Sequence, residues 1–79
     1  MYSFYDSKVE AYSDPWCSPT KGSAERTLME LLANPDTPVA KHSADFTLFE
    51  IGTFDDKKGI FVPHEAQISL GCALNFVNK

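Results

Sequence analysis

The chain has 79 residues, of which 43% are apolar and 13% aromatic, and its net charge is −4. A single domain of this size buries about 60% of the surface its unfolded chain exposes, and such a core seldom contributes more than about 3–5 kcal/mol. No apolar run approaches the ~18 residues that cross a membrane, no secretory pattern follows Met1, and no basic stripe suits phosphate neutralisation along DNA. The acidic excess is evenly shared. Residues 1–44 hold four bases and six acids, and residues 45–79 hold three and five.

Tyr2-Ser3-Phe4-Tyr5 has strand composition, Asp6-Ser7-Lys8 reads as a turn, and Glu10-Ala11-Tyr12 as a second short strand. Ser13 to Gly22 contains Pro15, Pro19 and Gly22 and reads as loop. Ser23 or Thr20 can cap the helix that follows, and Glu25 near its start suits the helix dipole. Ala24, Leu28, Leu31 and Leu32 recur at helical spacing and form one apolar face. Pro35 excludes helical geometry at Asn34, so the helix stops near Ala33. Asn34 to Asp45, with Pro35 and Pro38, is expected to be an ordered surface connection.

Asp45 to Pro63, DFTLFEIGTFDDKKGIFVP, reads as a β-hairpin with strands near 46–54 and 60–63. Phe46, Leu48, Glu50, Gly52 and Phe54 alternate with Thr47, Phe49, Ile51 and Thr53, so large apolar residues fall on both sides and predict cover on both faces. Asp55-Asp56-Lys57-Lys58-Gly59 supplies the turn, with Gly59 able to take the positive φ that closes it. Pro63 is expected to end the return strand by removing an amide donor. Beyond it, Ser69 can cap a short helix in which Leu70, Ala73, Leu74 and Val77 share a face, although Gly71 costs about 1 kcal/mol relative to Ala there. The element order is then ββαββ with a possible short C-terminal helix. That is an α+β domain in which a small antiparallel sheet of two hairpins packs on a central helix.

Cys17 and Cys72, the two cysteines, read as free thiols, with Cys72 packed as a small apolar residue. Together with His42 and His64 they match none of the close spacings of structural zinc sites, so no metal is expected. Both histidines read as solvated surface residues. Asp55 and Asp56 are explained by the turn, and Gly22, Gly52, Gly59 and Gly71 are too isolated for a phosphate loop. No catalytic constellation and no cofactor are expected. The remaining cluster is aromatic and basic: Tyr5, Lys8, Tyr12, Trp16, Lys21 and Arg26. Aromatic rings give sequence-tolerant platforms for unstacked bases, while Lys and Arg track phosphates. Tyr5 and Tyr12 suit ordinary strand packing as well, and Trp16, flanked by prolines in a loop, suits a protein contact or a buried site equally.

The hairpin, taken with Tyr5-Asp6-Ser7-Lys8-Val9-Glu10-Ala11-Tyr12, Pro19-Thr20, His42 to Gly52 and Ile68-Ser69-Leu70-Gly71, resembles the small nonstructural protein of gokushovirus-type microviruses, phages with single-stranded DNA genomes. The similarity runs over nearly the whole chain in one order. It implies a non-enzymatic role supporting viral single-stranded DNA synthesis in the cytoplasm of the bacterial host. The contact would be with single-stranded DNA, the viral replication initiator, or both. No catalytic motif defines that family, so it assigns no residue. The acidic balance favours a protein partner as the main contact, and a protein-interaction or host-modulating module that binds no nucleic acid is the competing class. A homodimer is also expected, because ten aromatic residues exceed what so small a core encloses. Strand 46–54 or the N-terminal hairpin would lie at or behind its interface.

Overall fold

The alternating run after Asp45 becomes the strand on which the other elements are assembled. The structure, a computed structural model describing residues 1–77, contains β1 (Tyr2–Asp6), β2 (Ala11–Tyr12), α1 (Lys21–Ala33), α2 (Pro38–Lys41), β3 (Phe46–Asp55) and β4 (Ile60–Cys72). Single 3₁₀ turns cover Ser43–Asp45 and Ala73–Phe76. The sheet order is β2-β1-β3-β4, with every neighbour antiparallel. This is an α+β fold built from two hairpins around a helix.

Helix α1 begins where Thr20 accepts a hydrogen bond from the Ser23 amide at 3.1 Å and ends at Asn34, ahead of Pro35. It lies on one face of the sheet. Ala24 and Leu28 are fully buried there with Tyr2, Phe4, Phe46 and Leu48, and Val39, Ala73 and Phe76 close the same core. Leu31 and Leu32 pack against it half-buried. Burying Leu28 completely stabilises the fold by roughly 1.5–3 kcal/mol.

Three expectations about secondary structure require correction. Asn34 to Asp45 is not simply a connection: Thr37 caps α2 by accepting from the Ala40 amide at 3.2 Å, and Pro38 occupies the first turn. A proline directly after a capping threonine starts a helix as readily as it breaks one. Pro63 does not end the return strand, because β4 continues to Cys72. The strand is at the sheet edge, where a missing amide donor leaves no neighbour unpaired. The expected helix from Leu70 to Val77 begins later than its pattern suggests: residues 70–72 continue β4, and helical turn forms over Ala73–Phe76 alone. Ser69, Gly71 and Cys72 pair with Phe49, Leu48 and Thr47, leaving only the 3₁₀ turn, whose Ala73 and Phe76 enter the core. Ladder pairing with β3 outweighs the weak local helix propensity there.

The turn of the β3–β4 hairpin forms as its residues require. Asp55 Oδ1 accepts from the amides of Lys57 and Lys58, and Gly59 takes φ 70°. Further down the hairpin the two strands have unequal lengths. Between the Gly52–Pro63 and Glu50–Ile68 pairs, β3 contributes Ile51 alone while β4 contributes residues 64–67. This bulge turns His64 inward, where Nε2 lies 3.0 Å from Glu50 Oε2. His64 is therefore a half-buried partner of Glu50, not a solvated residue.

Candidate nucleic-acid interface

Strand alternation sends Tyr2 and Phe4 of β1 into the core under α1 and directs Tyr5 to the opposite face. Tyr12 of β2 is the register partner of Tyr5, and Phe49 of β3 shares that face because its neighbours Leu48 and Glu50 belong to the other. The three rings touch. Centroids are 4.9 Å apart for Tyr5 and Tyr12, 5.7 Å for Tyr12 and Phe49, and 6.5 Å for Tyr5 and Phe49, the latter two pairs edge-on. Tyr12 is 47% exposed, and Tyr5 and Phe49 are half-buried. The expected cover on both faces of β3 is thus present on one only, and on the other the aromatic rings shield one another.

The turn joining the two tyrosine strands carries Lys8, which is exposed. It is held by the Lys8 amide donating to Asp6 Oδ1 at 2.9 Å and by the Ser7 amide donating to the Asp45 carbonyl. Lys8 also lines a hollow of about 320 Å³ with Asp6, Pro38, His42, Asp45 and Phe46. On the other side of Tyr12, Ser3, Ser13, Pro15, Ile51, Phe61 and Gln67 line a second hollow of about 300 Å³. Its floor is fixed, because Ser3 Oγ donates to the Ser13 carbonyl at 2.8 Å and the Phe4 amide donates to Ser13 Oγ at 3.0 Å.

The six residues singled out from sequence therefore fall into two groups. Tyr5 and Tyr12 come together, with Lys8 at the end of their hairpin. Trp16 does not join them. Its backbone bridges to Tyr2 in both directions, and its ring packs against Phe4 and Tyr2, with centroids 5.0 and 6.1 Å away. The indole is half-buried against the core, and its N–H is buried with no hydrogen-bond acceptor. Lys21 and Arg26 are exposed on α1, in the helical layer with Trp16. Sequence reasoning passed over Phe49. The signal was there in its alternation with Leu48, but a phenylalanine inside an apolar strand looks like core until the cover on each face is known.

Titration behaviour marks a different spot. Burial, then the charge of Glu50 and a hydrogen bond to it, raise the Tyr2 phenol above its ordinary value. Tyr2 donates to Glu50 Oε1 at 3.4 Å while His64 holds the other carboxylate oxygen, so Tyr2, Glu50 and His64 form one polar strip beside the bulge. Cys17 and Cys72 are free, and the Cys72 thiol points at the Ser43 and Ala44 carbonyls. Among the described residues no group of three potential ligands gathers to hold a metal ion, and no helix is long and apolar enough to cross a membrane.

The model of the phage ORF5 protein family matches residues 1–76. The chain belongs to that family. Comparison with curated proteins and with solved structures gives no match. For this phage ORF5 protein the matched segment spans every described element, so the aromatic face and the long hairpin both lie within the family's domain.

Proposed function

We propose that this phage protein is a non-enzymatic accessory factor in the synthesis of a microvirus-type single-stranded DNA genome, acting in the host cytoplasm. It contacts single-stranded DNA on the helix-free face of its sheet. The observation that carries this reading is the contiguous triad of Tyr5, Tyr12 and Phe49 on a face with no helix over it. Open sheet faces bearing aromatics suit splayed bases, each stacked base contributing roughly 1–3 kcal/mol. Lys8 supplies charge beside the platform. Trp16, Lys21 and Arg26 belong to the helical layer and serve as a second contact for a strand that passes the β2 edge. With net charge −4, few phosphates are neutralised, so affinity depends mainly on stacking and only weakly on salt.

The test is titration of a fluorescein-labelled oligothymidylate at two salt concentrations. Tyr12→Ala is expected to weaken binding about 5-fold or more, with Lys57→Glu, remote from the platform, close to the native protein. No binding by the native protein, or equal losses in both variants, would contradict the proposal. A second reading is that the main partner is a protein, either the viral replication initiator or a host factor. It is favoured by the acidic balance and by exposed Phe54, Ile60, Phe61 and Val62. Pull-down of the purified initiator by a protein that ignores the oligonucleotide is the result that selects it.

A further inference from the structure

The hollow of about 300 Å³ beside Tyr12 adjoins the aromatic platform. Ser3 is the register partner of Phe49, and Ile51 lies two residues beyond Phe49 on β3, so strand alternation puts both on the helix-free face. Tyr12 is one wall of the hollow and part of the platform as well. No lining residue carries a charge, although 23% of the chain is charged. The floor is already satisfied. Ser3 Oγ donates to the Ser13 carbonyl, Ser13 Oγ accepts from the Phe4 amide, and the two hydroxyls lie 3.3 Å apart. Gln67, exposed on the β4 bulge, borders the same space and brings a side-chain amide with donor and acceptor side by side. We propose that this hollow receives one unstacked nucleobase of a bound single strand, with the Gln67 amide hydrogen-bonding its Watson–Crick edge.

The inference rests on the reading that single-stranded DNA meets the aromatic face, and it adds which part of the strand is recognised and where. Size, charge and continuity select a base as the occupant. Ligand sites span about 300–1,000 Å³, so this hollow stands at the small end and has room for one base and not for a stacked pair. An uncharged lining leaves a phosphate without a counter-charge, which is costly, whereas a base is neutral, with apolar faces and a polar edge. Ile51 and Pro15 supply apolar walls for those faces, and Gln67 supplies the groups for the edge. The hollow beside Lys8 is unsuited to the same role, because Asp6, Asp45 and His42 also border it and its two carboxylates repel the backbone. Because Tyr12 is shared, a base stacked on the platform and a base in the hollow lie on either side of one ring, as successive nucleotides of a strand would. The phosphates then stay in solvent, as a net charge of −4 requires. The amide can present its donor and acceptor in either order, so the class recognised is a base with an open Watson–Crick edge and not one particular base.

The test compares an oligothymidylate with the same oligomer methylated at thymine N3, which keeps the ring faces and loses the Watson–Crick donor. The native protein is expected to bind the methylated oligomer about 5-fold or more weakly. In Gln67→Leu that difference should vanish, while the ring signals of Tyr5 and Phe49 still shift with both oligomers. Circular dichroism confirms that the variant keeps its fold. Isotope-filtered NMR of the native complex reads the site without mutation, and contacts between the thymine methyl and the Ile51 methyls are expected. Platform shifts with no Ile51 contact and no discrimination against the methylated oligomer would overturn the base site while leaving the aromatic contact standing. Discrimination undiminished in Gln67→Leu would also overturn it, and no binding of either oligomer would overturn both readings.

Discussion

The two ends of β3 have similar composition and opposite fates. At Phe46 and Leu48 the strand runs between β1 and β4 with α1 over it, and both side chains are buried. At Phe54 the same alternation continues, but only β4 is alongside and the ring is 48% exposed. Gly52 marks the change. A Cβ there would stand 2.6 Å from Cε1 of Phe61, closer than real contacts allow, so the ring folds across the glycine where a side chain would otherwise be. Apolar alternation specifies a strand. Whether its residues become core depends on which elements reach them.

Mutations that distinguish the two ends are the sharpest way to probe this contrast. Leu48→Ala, at a fully buried position, is expected to destabilise the fold by about 2–5 kcal/mol through lost burial and a residual cavity. Phe54→Ala, measured by urea unfolding at concentrations dilute enough to exclude association, should cost less than about 1.5 kcal/mol. Equal effects would mean that the distal hairpin is as well supported as the body. Gly52→Ala falls between them, at about 1–3 kcal/mol, because the Val62 carbonyl and the Phe61 ring both have to shift.

A smaller effect comes from the polar strip between the two ends. The raised Tyr2 phenol is favoured in its neutral form by the folded state, chiefly by burial and then by Glu50. Its contribution is complete below the ordinary value near 10 and is lost as pH rises through the higher folded value. Tyr2→Phe should therefore flatten the alkaline limb of a stability–pH profile, and an unchanged limb would show that Tyr2 does not control it. Smallest of all is Glu10→Gly. Glu10 holds φ 56° in the β1–β2 turn, and relief of that strain is largely offset by the freedom glycine adds to the unfolded chain, leaving a gain below about 1 kcal/mol.

The same contrast explains what could be read from residues alone. The turn at Asp55–Gly59 and the helix at Lys21–Ala33 were legible because local chemistry determines them: an Asp accepting from its own turn, a Thr cap and a Pro stop. The extension of β4 past Pro63 was not legible, since only pairing with β3 makes residues 68–72 a strand. His64 read as solvated because the four-residue bulge that turns it to Glu50 has no local signature. Half of the candidate site was legible for the same reason. Tyr5 and Tyr12 follow from strand alternation and the hairpin between them, while the burial of Trp16 against Phe4 depends on a loop folding back over β1.

The proposed contact puts single-stranded DNA on the helix-free aromatic face of the sheet. Two-dimensional NMR of the native protein, titrated with a short oligothymidylate, tests it most directly. Ring signals of Tyr5, Tyr12 and Phe49 are expected to shift progressively and move upfield as bases stack on them, with weaker changes at Lys8 and little change at Phe54 and Ile60. Shifts confined to Lys21, Arg26 and the rest of α1, or none at all at saturating oligonucleotide, would contradict it.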